Sequence, residues 1–184
     1  MGRNKPRLYL AIYEQPDNPK QYRLALIVCP KHHNTSSRSR HIKRYQITDI
    51  GPAGQDSQCR YEQTVMSSFK EDPQILVLFR LGKIKLSMEQ FETILSEVST
   101  NSGHGVPKSQ NEELHDELWI RAVMAALEAR GALAPPLPTW HEARKEAYNF
   151  VQEELTAGRW SSAWKGETGV PLRYFGSGLT VYIE

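Results

Sequence analysis

Near residue 82 the spacing of apolar side chains changes from that of strands to that of helices, and few architectures accommodate such a switch. Before it, five segments read as strands: Arg7 to Tyr13, Tyr22 to Cys29, Arg40 to Ile47, Gln58 to Met66 and Ile75 to Leu81. The stretch EQPDNPKQ between the first two carries two prolines, Asp17 and Asn18, so these strands are expected to form a hairpin. Leu24 to Val28 and Ile75 to Phe79 are continuous apolar runs, the pattern of strands covered on both faces. Arg40 to Ile47 and Gln58 to Met66 alternate more and carry more charge, as edge or half-exposed strands do.

After the switch, three capping boxes announce three helices: Ser87 with Gln90, Ser109 with Glu112, and Thr139 with Glu142. The second helix should begin near Asn111, run to about Arg130 and stop at Gly131, and the third should end at Gly158. From Leu118 to Leu127 only Arg121 is charged, so this helix is apolar nearly all round and is expected at the centre of the core. The stretch GRWSSAWKGETGVPLRYFGSG reads as loop, and Leu179 to Ile183 as a possible last strand. The fold class is therefore α+β: a central mixed or antiparallel sheet from the N-terminal half, with a buried helix and two further helices from the C-terminal half. The length of 184 residues suits a single domain. Its parts are a strand-rich 1–82, a helical 83–158, and a C-terminal loop with a possible strand over 159–184.

Composition narrows the function classes. Lys and Arg number 23 against 21 Asp and Glu, too even a balance to imply a nucleic-acid partner. Charge is unevenly distributed all the same: Lys31 to Arg44 holds five Lys or Arg, three His and no acid. That loop reads either as a solvated basic segment or as an anion site, and Tyr45 alone offers a stacking ring near it. No apolar run reaches the roughly 20 residues of a membrane span, and the opening MGRNKPRLYL lacks the apolar core of a signal peptide. Cys29 and Cys59 show no metal or redox spacing and read as reduced thiols, so the chain is expected to be cytoplasmic, with no membrane partner.

Searches for nucleotide loops, zinc-protease helices and the hydrolase nucleophile elbow return nothing, so no cofactor is expected. Gly103 and Gly105 around His104 lack the strand and the Lys-Ser that a phosphate loop needs. His32 and His33 could supply two metal ligands, but no third is placed by sequence, and no metal is expected. Trp119 shares a helical stripe with Val123 and Leu127 and reads as core. Trp160 and Trp164, bulky aromatics in the C-terminal loop segment, must cover something and are candidates for bordering a small-molecule substrate. Oligomeric state has no signature in the chain.

Two segments carry a family resemblance: YRLALIVCPK at Tyr22 to Lys31 and HDELWIRAVMAALEARGAL at His115 to Leu133. With RHIKRYQI, GRW and GVPL, they resemble a fungal domain family of unknown function over nearly the whole chain. They are also distantly similar to the papain-like fold, in its permuted lecithin retinol acyltransferase-like branch. There a strand His acts as base and a Cys at the start of a buried helix as nucleophile, because helix dipole and imidazole both favour the thiolate. Here Arg23 stands where the His would be and Asp116 where the Cys would be. The likeness implies that the strand bearing Arg23 lies against the first turn of the helix bearing Asp116, with the two side chains in salt-bridge or one-water range and Arg23 holding Asp116 ionised. Two functional readings follow. One is a cofactor-free acid/base enzyme of fungal specialised metabolism, a cyclase, isomerase or hydrolase. In it Asp116 is base or electrostatic anchor, Arg23 an anion or carbonyl clamp, and His41 a proton shuttle, with His115 a weaker candidate because it points about 100° away from Asp116. The other is a non-catalytic binding or scaffold domain on a disabled papain-like core.

Overall fold

The structure, a computed structural model, describes residues 5–15, 21–30, 41–50, 58–102, 115–160 and 168–183. In chain order the elements are β1 (Arg7–Glu14), β2 (Tyr22–Cys29), β3 (Ile42–Ile50), β4 (Gln58–Met66), β5 (Ile75–Ile84), α1 (Met88–Ser102), α2 (His115–Ala129), β6 (Leu133–Ala134), α3 (Trp140–Thr156), β7 (Val170–Tyr174) and β8 (Thr180–Ile183). A short 3-10 turn, Phe69–Glu71, precedes β5. The strands form one mixed sheet in the order β4-β3-β2-β1-β5-β7-β8, with the two-residue β6 beside β5. All pairings are antiparallel except β5 with β7. The fold is α+β, with the sheet drawn mainly from the N-terminal half and the helices from the C-terminal half.

Strand alternation explains how the central strands are buried twice. Leu8, Leu10 and Ile12 of β1 and Leu24, Leu26 and Val28 of β2 join the helices in one apolar cluster. Tyr9, Ala11 and Tyr13 with Ala25, Ile27 and Cys29 form a second cluster on the opposite face. The connection 67–74 passes over that second face: it leaves β4 at one side of the sheet, buries Phe69 among these residues, and returns to β5 on the far side of β1. Tyr13 donates a 3.0 Å hydrogen bond to Asp72 of this connection. Each such apolar side chain contributes about 1.5–3 kcal/mol by leaving water, which is why the two continuous runs sit at the middle of the sheet and the charged β4 at its edge.

Among the described residues the helix ends follow their sequence signals, while the expected Ser109 and Glu112 box and the helix start near Asn111 lie outside them. Ser87 and Gln90 exchange backbone and side-chain hydrogen bonds at 3.2 and 3.1 Å, and Thr139 with Glu142 does likewise. Gly131 ends α2 at φ 56°, a left-handed conformation that other residues adopt only with strain, and Ala132 N–H closes onto the Leu127 carbonyl at 2.9 Å. Among the described residues, no helix is long and apolar enough to cross a membrane.

Two expectations need correction. The helix α2 carries the most buried side chains of the three, as expected, but it is covered on one side rather than nearly all round: Trp119, Ile120, Val123, Met124 and Leu127 are buried, while Arg121, Ala122 and Ala125 face solvent. Alanine counts as apolar in a sequence pattern, yet it loses little by exposure and favours helix, so an Ala-rich surface mimics a buried one. The C-terminal segment is also not loop throughout, since β7 pairs in parallel with β5 through Leu78 and Leu172. Pro171, which cannot donate a ladder hydrogen bond, gave the segment its loop signature; it sits just before that first pair with β5.

Candidate functional site

The start of α2 meets the start of β2. Leu24 N–H donates to Asp116 Oδ2 at 2.6 Å across 92 positions of sequence, and Glu117 N–H donates to Asp116 Oδ1 at 2.9 Å. The carboxylate is 6% exposed. Its neighbour Glu117, 3% exposed, turns toward α3, where Arg144 Nε donates at 3.0 Å and the Tyr148 hydroxyl donates as well. The Arg144 guanidinium lies 4.6 Å from the Tyr148 ring centre. Tyr148 in turn meets Tyr22 edge-on, ring centres 5.5 Å apart, and Gln152 Nε2 donates to the Tyr22 hydroxyl at 2.8 Å. The result is a polar seam joining β2, α2 and α3.

Burial raises the Asp116 carboxyl to about 6. The Leu24 and Glu117 amides and the field of Arg23 pull the other way, and the Glu117 charge adds to the rise. This corrects the expectation that Arg23 keeps Asp116 firmly ionised. Arg23 is exposed and its Nη2 donates to the Ile47 carbonyl at 3.3 Å; among the described ion pairs none joins it to Asp116. The reason is strand alternation: Tyr22 and Leu24 pack toward the helices, so Arg23 between them projects from the opposite face. The strand and the helix start do touch, but through the Leu24 backbone. Tyr148 is likewise pushed upward, by burial first and by its bond to Glu117.

The other expected residues lie apart. His41 is exposed beside the first residue of β3, and the β2–β3 register pairs Val28 with Lys43, so it sits at the far end of the ladder from Arg23. Seven residues of strand separate the two levels, roughly 23 Å at about 3.3 Å per residue. His115 is half-buried next to Asp116. Trp160 is 37% exposed beyond the end of α3. Trp164, His32, His33 and the Gly103 to Gly105 segment fall outside the described residues. Among the described residues, no group of three or more His, Cys, Asp or Glu could hold a metal ion. Sequence reasoning missed Glu117, Arg144, Tyr148 and Gln152. The signal existed: positions 144, 148 and 152 repeat at i, i+4, i+8 and make one stripe of α3.

A family model described as a family of unknown function, DUF6914, matches residues 5–172. The chain belongs to this family. The match takes in every residue of the seam just described, so the Asp116 and Glu117 contacts lie within the family domain. No curated protein and no solved structure matches the chain.

Proposed function

We propose that this family member is a non-catalytic binding domain for a small molecule, built on a papain-like core in which the nucleophile position has become a structural clasp. One observation supports it above the rest: both oxygens of Asp116 are occupied by backbone amides and the group is 6% exposed. A general base must reach the proton that it removes. Asp116 instead ties β2 to α2, and Glu117 ties α2 to α3. In this reading the domain acts in the cytoplasm, needs neither cofactor nor metal, and engages neither nucleic acid nor membrane.

A second reading, the cofactor-free acid/base enzyme of fungal specialised metabolism, is favoured by the Asp116 carboxyl lying at about 6, where one group can both give and take a proton near neutrality. The two readings separate when the protein is incubated with a small-molecule extract of its source organism and the mixture is followed by mass spectrometry. A binding domain retains a compound unchanged, and Asp116→Asn retains it too. An enzyme consumes a compound and releases another, and Asp116→Asn abolishes the conversion; that result would overturn the binding reading.

A further inference from the structure

At the opposite end of the sheet from Asp116 the arginines break a pattern held elsewhere in the molecule. Arg44, Arg144, Arg159 and Arg173 each lie over an aromatic ring, at 5.8, 4.6, 4.4 and 3.9 Å from Tyr13, Tyr148, Tyr182 and Phe150. Each also pairs with a carboxylate, respectively Asp72, Glu117, Glu154 and Glu153. Arg80 of β5 has the ring, 4.7 Å from Tyr174, but among the described ion pairs no carboxylate.

Arg7 of β1 is the nearest counterpart. Arg80 stands directly across from Tyr9 in the β1–β5 ladder and directly across from Tyr174 in the β5–β7 ladder. Arg7 is two residues from Tyr9 on the same strand face, and although the register shifts by one residue between Leu8 and Tyr9, Arg7 and Arg80 both flank Tyr9 closely enough for their charges to act on each other and on its hydroxyl. Both are half-buried. The Arg7 guanidinium donates to the Lys5 carbonyl at 3.2 Å and has no described carboxylate either. Lys83, opposite Arg7, adds further positive charge. Two like charges held side by side in a partly dehydrated setting repel, and an anion would relieve them.

We infer that Arg7 and Arg80, with the Tyr9 hydroxyl between them, form a subsite for the phosphate monoester group of a soluble small molecule whose apolar body rests on Tyr174. Two guanidinium forks match a dianion in charge and in geometry. Burial and the neighbouring Arg80 lower the proton affinity of Arg7, and burial raises Tyr9 to about 12, so its hydroxyl stays protonated and able to donate. Tyr174 is 36% exposed and offers its ring at the border. The inference is independent of whether Asp116 is a clasp or a catalyst.

The test is titration of the full chain with inorganic phosphate and with phenyl phosphate in a chloride buffer, read by calorimetry and by the melting temperature. Saturable binding is expected, tighter for phenyl phosphate, with about tenfold weakening in Arg80→Gln and in Arg7→Gln, and none in Lys145→Gln, an exposed lysine on α3. Arg80→Lys, which keeps the charge and removes the fork, should fall between and serves if a Gln variant fails to fold. Absence of binding, or binding that all four variants share equally, overturns the subsite. Retention on phosphatidylcholine vesicles only when phosphatidic acid is included, without response to phenyl phosphate, overturns the assignment to a soluble ligand.

Discussion

The two ends of the sheet treat charge in opposite ways. At one end Asp116 and Glu117 are almost wholly enclosed, and their four carboxylate oxygens take hydrogen bonds from two backbone amides, an arginine and a tyrosine. At the other end Arg7 and Arg80 are half-exposed, flank Tyr9 together, and lack any described carboxylate. Buried polar groups that are fully partnered hold a fold together, whereas like charges left adjacent cost stability unless something outside the chain answers them. A structural role at the first end, and at the second the ligand recognition proposed above, is the division of labour that this contrast supports.

The largest expected effect comes from breaking the closed end. Asp116→Ala strips partners from the Leu24 and Glu117 amides and leaves a cavity at a helix–strand junction, and should cost about 2–5 kcal/mol in urea unfolding. Glu117→Gln keeps the shape but weakens the bonds from Arg144 and Tyr148. It should cost about 1–3 kcal/mol, with little effect on phosphate binding. At the open end the sign should change: Arg80→Gln without ligand is expected to shift stability by no more than about 0.5 kcal/mol, or to raise it slightly by removing repulsion. A large loss in Arg80→Gln with no ligand present would erase the comparison, because Arg80 would then be a structural residue like Arg144.

Much of the scaffold was legible because the sequence and the physics agree locally. The bounds of β2 and β4 coincide with their apolar and alternating runs, and Gly131 and Gly158 end their helices in left-handed turns. Where reading failed, a residue type carried two meanings. Pro171 reads as loop but is tolerated at the start of β7, and the alanines of α2 read as core but line its solvent side. At the candidate site, β2 does meet the start of α2, as expected, through the Leu24 amide and Asp116. Identity by position did not reveal which atoms meet. The alternation of Tyr22, Arg23 and Leu24 already directs the Arg23 side chain away from the helices, so the partner of Asp116 had to be a backbone amide, which no side-chain motif records.

The central claim, that Asp116 is an enclosed clasp ionised at a cost, is tested most directly by the pH dependence of stability in the parent protein relative to Asp116→Asn. A carboxyl raised from 3.8 to about 6 by folding contributes stability that is fully present below its unfolded value and lost as pH rises through about 6. The stability of the parent minus that of Asp116→Asn should therefore fall between about pH 4 and about pH 7, by up to about 3 kcal/mol for a shift of about two units. A difference that instead grows with rising pH over this range would mean that folding holds Asp116 ionised, as a salt bridge to Arg23 would, and would contradict the account.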